Sequence, residues 1–106
     1  NTSGEAAKHG LAPDEVDPIL ATADKYPHVS ICGLMTMAAL EGGDAVATHC
    51  FESLRNLRDR LKPNTPPCVQ LQELSMGMSG DFIEAIQEGS TLVRIGTAIF
   101  GERDYS

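Results

Sequence analysis

Apolar residues recur along the chain in two spacings, and the switch between them divides it into alternating elements. Val16, Ile19, Leu20 and Ala23 fall at i, i+3, i+4 and i+7, one face of a helix. Pro13 suits the first turn of that helix, and Pro27 closes the segment. Pro18 leaves two readings: a kink inside the helix, or a helix that starts at Pro18 with Asp17 as its cap. Residues 28–37, HVSICGLMTM, form a near-continuous apolar run rich in β-formers, the pattern of a strand covered on both faces. Glu41, Gly42 and Gly43 make a flexible turn. From Asp44 helical spacing returns, with Ala47, Cys50, Phe51, Leu54, Leu57 and Leu61 on one face and Arg55, Arg58, Asp59 and Arg60 on a solvated one. Residues 62–67 contain three prolines, which end the helix in a loop.

Residues 69–76 read as the next strand, with Gln70, Gln72 and Glu73 making its early part an exposed lead-in. Ser79 suits a helix N-cap with Asp81 in the first turn, where a carboxylate complements the helix dipole. Phe82, Ala85, Ile86 and Gly89 then share one face, and Gly89 is the expected stop. Residues 92–95 read as a last strand, and residues 1–5 as the tail of an earlier one followed by a loop through Lys8, His9 and Gly10. Met35, Met37, Met76, Met78, Phe82 and Phe100 are expected in the core. Strands alternating with helices imply βα units and a parallel sheet, here up to four strands and three helices. Such a set leaves unpaired strand edges. Half of a (β/α)8 barrel describes it, since a whole barrel takes about 250 residues; a small open sheet is the competing architecture.

Length and charge narrow the function. The 106 residues make one domain or part of one. Fifteen acidic against eight basic residues give a net charge of -7, which argues against a nucleic-acid partner. No run approaches the roughly 20 apolar residues of a membrane span. Cys32, Cys50 and Cys68 are odd in number and well separated, and His9, His28 and His49 are scattered, so no metal site is expected. Partly buried free thiols suit a reducing, cytoplasmic setting. The chain opens on Asn1, which raises the expectation that it is processed or cut from something longer. His49, Ser75 and Asp81 supply the residue types of a catalytic triad, but no G-x-S-x-G elbow accompanies them.

The candidate chemistry lies in two stretches: Ser75-Met76-Gly77-Met78-Ser79 and Arg94-Ile95-Gly96-Thr97. Each follows an expected strand, and the first opens an expected helix. Small residues there let backbone N–H groups approach an anion, with the Ser and Thr hydroxyls as further donors. In (β/α)8 barrels a phosphate site is commonly built from the loops after the last two strands. The bland alternatives are tight-turn glycines at 77 and 96 and a structural ion pair at Arg94.

These residues also carry a resemblance. Asn1-Thr2-Ser3-Gly4-Glu5 with Lys8 and Gly10, Gly33-Leu34-Met35-Thr36, ELSMGMSGDF over residues 73–82, and Gly89-Ser90-Thr91 running into VRIGTAIFGERDY resemble the pyridoxal phosphate homeostasis protein family, related to the N-terminal barrel of alanine racemase. The resemblance implies the C-terminal half of a (β/α)8 TIM barrel, residues 1–106 being a single partial domain, with pyridoxal 5'-phosphate (PLP) at the barrel mouth. It implies a carrier or buffer of PLP, with no catalytic residues assigned. Ser75, Met76, Gly77, Met78 and Ser79 with Ile95, Gly96 and Thr97 match the segments that wrap the phosphate, and Arg94 matches an arginine positioned towards the pyridine nitrogen. A permanent cation there disfavours ring protonation and makes the cofactor a poorer electron sink. The family's covalent-anchor lysine belongs to the first barrel strand and has no counterpart here. Lys8 matches a lysine near the mouth that could meet the phosphate or the cofactor's aldehyde. The expected partners are PLP, the missing N-terminal half or a second copy, and client enzymes that use PLP. A PLP-dependent racemase or lyase, and a binder of another phosphorylated ligand, are the alternatives; racemisation needs acid/base groups on both faces of the cofactor, for which Tyr105 is a poor candidate.

Overall fold

The computed structural model describes residues 1–6, 8–39 and 41–102. Among the described residues four helices and two strands follow one another: α1 (Pro13–Leu20), β1 (Ile31–Met35), α2 (Gly43–Leu61), β2 (Val69–Ser75), α3 (Phe82–Gln87) and α4 (Thr97–Phe100), with short 3-10 turns at Ala23–Lys25 and Lys62–Asn64. Pro13 occupies the first turn of α1, and the Glu15 carboxylate accepts the Ala12 N–H at 2.9 Å, closing that helix start. Pro18 sits inside α1, so the alternative with Asp17 as cap does not hold.

The register of α2 is set by its apolar stripe: Ala47, Cys50, Phe51, Leu54, Leu57 and Leu61 are all buried. Its lower half packs with Val16, Leu20, Ala23, Val69 and Leu71 in one cluster, and its upper half with Leu74, Met76 and Ala85 in a second. Arg55, on the outer side of α2, donates to the Glu88 carboxylate at 2.8 Å and its carbonyl at 3.3 Å, which fastens α2 to the end of α3. Both side chains are partly shielded, so Arg55→Ala should cost about 1 kcal/mol, read as a lower unfolding midpoint in denaturant. An unchanged midpoint would mean that the pair is decorative.

β1 and β2 run parallel, Ile31 opposite Val69 and Gly33 opposite Glu73. Between these pairs β2 carries extra residues, and its buried positions change parity, from Val69 and Leu71 to Leu74 and Met76. Gln70 and Gln72 therefore alternate with buried neighbours, and the early part of β2 is strand proper rather than an exposed lead-in. At the same irregularity Gly33 lies so close to the partner strand that a Cβ there would meet the Glu73 carbonyl oxygen.

Other expectations need correcting. Residues 92–95 form no regular strand; only Leu92 bridges Ser75, in parallel. Residues 1–5 carry no strand. β1 is shorter than the run 28–37 and is half-exposed rather than covered on both faces, because β2 is its only strand neighbour among the described residues. Met35, Met37 and Met78 are exposed for want of an element over them, and Phe100 is 84% exposed; only Met76 of the four methionines is core. No helix among the described residues is long and apolar enough to cross a membrane.

Candidate functional site

α3 is placed by the way it ends. Gly89 takes a positive φ of 98°, its N–H donates to Ile86 O and the Ser90 N–H to Ala85 O, which is the Schellman arrangement. The chain then turns back at once along β2. Thr91 and Leu92 donate to Leu74 O at 2.9 and 3.1 Å, Met76 donates to Leu92 O at 3.0 Å, and Arg94 donates to Gly77 O at 2.9 Å. The two glycine-containing stretches thus leave the sheet side by side.

Gly77 is buried and has a φ of 106°. A Cβ at that position would stand 2.7 Å from Ala85 Cβ and 3.2 Å from Phe82 Cα. Only glycine combines that backbone conformation with that contact, so the turn after β2 is fixed against α3. Asp81, not Ser79, is the residue before α3, and its carboxylate accepts the Met78 N–H at 2.8 Å across the turn. Ser79 has a different task from the capping expected of it: its Oγ accepts the N–H groups of Gly96 and Ala98, each at 3.1 Å. Two backbone donors from one stretch converge on a single oxygen supplied by the other.

The hydroxyl proton of Ser79 remains for a further acceptor, and exposed Thr97, at the start of α4, stands between its two donors Gly96 and Ala98 in the chain. Arg94 is exposed, and among the described residues its guanidinium has no hydrogen-bond or ion-pair partner. An ion pair as the purpose of Arg94 therefore finds no support. A Ser79 hydroxyl held by two N–H groups with its own proton to give, the Thr97 hydroxyl, and a guanidinium without a partner among the described residues suit a phosphorylated ligand.

Lys8 belongs to a neighbouring cavity of about 370 Å³, lined with it by Ala38, Asp44, Gly77, Met78 and Asp81. Its Nζ donates to the Glu5 carboxylate at 2.6 Å and to Ala38 O at 2.7 Å. The amine is thus engaged, and two carboxylates share its cavity. Ser75 and Met76 stand behind the loops, Met76 fully buried, while Ile95 is half-buried between Arg94 and Gly96. No hydrogen bond among the described residues joins His49, Ser75 and Asp81 as a triad would require. Tyr105 lies outside the described residues.

Two residues of consequence have no role assigned by sequence. Ser90 Oγ lies within 2.7 Å of Met76 O and 2.8 Å of Leu92 O, and Thr91 Oγ1 accepts the Leu74 N–H at 2.8 Å while meeting the Glu73 carboxylate at 2.6 Å. The signal available was a hydroxyl pair between a helix-stopping glycine and an apolar run.

Residues 1–104 match the family of the alanine racemase N-terminal domain. The chain belongs to that family. It is 44% identical over 106 residues to the pyridoxal phosphate homeostasis protein of Vibrio alginolyticus, covering all of this chain and 44% of the relative. It is 48% identical over 110 residues to the human protein of the same name, covering 39% of that relative. The chain thus spans less than half the length of these curated relatives. PipY of Synechococcus elongatus, solved without PLP, superposes with a TM-score of 0.83 at 35% identity, over 92% of this chain and 45% of PipY. The same protein solved with PLP bound gives 0.81 at 35% identity, over 90% of this chain and 44% of PipY. The α/β fold with parallel strands and the resemblance read from the four motifs are shown by these relatives.

Proposed function

We propose that the chain is the C-terminal half of a (β/α)8 barrel that binds PLP, holding its phosphate and its pyridine ring while the covalent anchor comes from an N-terminal half. The whole protein would carry or buffer the cofactor in the cytoplasm and release it to enzymes that need it. The observation that carries this reading is the convergence of Gly96 N–H and Ala98 N–H on Ser79 Oγ at 3.1 Å, which joins the two expected phosphate loops in one place.

The barrel half is supported by the sheet itself. Among the described residues β1 has β2 on one side only, and a cavity of about 600 Å³ lies beside it, lined among others by Leu11, Val16, Leu20, Leu34, Met35 and Leu57. An apolar space of that size against a free strand edge suits a further strand and the side chains it would bring. Exposed Met35 and Phe100 then become interface residues.

PLP supplies an aldehyde and an electron-accepting ring when bound. The residues here would bind and orient: the Ser79 and Thr97 hydroxyls would hold the phosphate, the N–H groups of Gly96 and Ala98 keep Ser79 Oγ in place between the two loops, and Arg94 would meet the ring nitrogen and disfavour a proton on it.

Amide resonances of the chain test the assignment. Addition of PLP or inorganic phosphate is expected to shift Met78, Ser79, Gly96 and Ala98, and pyridoxal, which lacks the phosphate, should leave them in place. Equal shifts with pyridoxal, or none with PLP, would contradict the phosphate cradle.

A further inference from the structure

We infer that Ser90 is a positioning residue for the phosphate cradle, an inference that rests on the PLP reading above. Its Oγ stands among three carbonyl oxygens, Met76 O at 2.7 Å, Leu92 O at 2.8 Å and Leu74 O at 3.3 Å. A hydroxyl has one proton, so it donates to one of these at a time, and the short distances to Met76 and Leu92 select those two. Met76 immediately precedes Gly77, and Leu92 lies two residues before Arg94. Ser90 therefore ties the last residue before one cradle loop to the residue that leads into the other.

The tie is needed because the backbone pairing there is thin. Thr91 and Leu92 N–H reach Leu74 O, and past that carbonyl the two segments meet through Met76 N–H on Leu92 O and Arg94 N–H on Gly77 O. Both bonds lie between Ser90 and the point where Gly96 and Ala98 reach Ser79. Removing the hydroxyl leaves the carbonyls of Met76 and Leu92 facing one another with one donor fewer between them. Past Leu74 the separation of the loops then rests on the backbone bonds of Met76 to Leu92 and of Arg94 to Gly77, and the donors aimed at Ser79 lose their register. Thr91 makes a useful contrast: its hydroxyl serves Leu74 N–H and Glu73, one layer further from the loops.

The test compares affinity for PLP with affinity for pyridoxal on the full chain, alone and mixed with the N-terminal half of a relative. The ratio of the two isolates what the phosphate contributes. Ser90→Ala is expected to lower that ratio about tenfold, one hydrogen bond's worth of alignment, while affinity for pyridoxal stays level. Ser90→Thr, which keeps the hydroxyl, should restore the ratio. Thr91→Val should lower the unfolding midpoint and leave the ratio unchanged. If Ser90→Ala does not fold, Ser90→Cys carries the same comparison with a weaker donor. A reduced midpoint with an unchanged ratio would show Ser90 to be merely structural and overturn the inference. Equal affinity of the unsubstituted chain for PLP and pyridoxal would instead remove the phosphate reading itself, and Ser90 would have no cradle to position.

Discussion

Gly33→Ala is expected to unfold the sheet. The new Cβ would lie 2.2 Å from the Glu73 carbonyl oxygen and 2.7 Å from Glu73 Cβ, and neither can move aside cheaply because both belong to, or hang directly from, the partner strand. Relief requires β1 and β2 to part at the pairing that positions everything after Leu74. Overpacking of this kind costs about 3 kcal/mol or more, a large share of the roughly 5–15 kcal/mol that holds a domain together. Chemical denaturation should show a midpoint displaced by that amount, or no cooperative transition at all. A midpoint within error of the unsubstituted chain would mean that the strands are further apart than described.

Gly77→Ala should be almost as damaging to stability and more damaging to binding. Two costs add: the positive φ of 106°, worth about 1–3 kcal/mol for a residue with a Cβ, and the 2.7 Å approach to Ala85 Cβ. Together they predict a loss of about 2–5 kcal/mol. The turn would open away from α3, carrying Ser79 from beneath Gly96 and Ala98, so any preference for PLP over pyridoxal should disappear even where the chain still folds. Gly80→Ala is the control. A Cβ at Gly80 meets nothing within 4 Å, so stability should hold. Equal effects at the two positions would show that loop flexibility, not the contact with Ala85, matters.

The parts of the fold set by local spacing were legible in the sequence. Each of the six apolar positions of α2 is buried, and Gly89 stops α3, because helix burial repeats every few residues and a positive-φ stop needs only its neighbours. What depended on distant partners was not. The parity change in β2 arises from its register against Gly33, some forty positions away, and nothing in residues 69–76 announces it. The segment 92–95 has strand-forming residues but meets β2 through a single bridge and side-chain ties. Exposure of Met35 and Phe100 follows from which elements lie beside them, which composition cannot tell.

The candidate site divides in the same way. The two loops were marked by their small residues and by the resemblance, and the structure brings them together at Ser79. Ser79 carries the local signature of a helix cap, a Ser shortly before an acidic residue, yet Asp81 precedes α3 and Ser79 serves elsewhere. Its actual partners, Gly96 and Ala98, are 17 and 19 residues away. The tie made by Ser90 is hidden for the same reason, since its acceptor Met76 is 14 residues back in the chain.

The most direct test of the central claim, a PLP cradle whose covalent anchor lies elsewhere, is the intact mass of each species after PLP and borohydride treatment. The chain is treated alone and mixed with the N-terminal half of the Vibrio alginolyticus relative. The expected result is a PLP adduct on the N-terminal partner only, increased when this chain is present and weakened by Arg94→Ala. A saturable adduct on this chain alone, mapping to Lys8, would contradict the account: the amine held by Glu5 and Ala38 would then be an anchor in its own right.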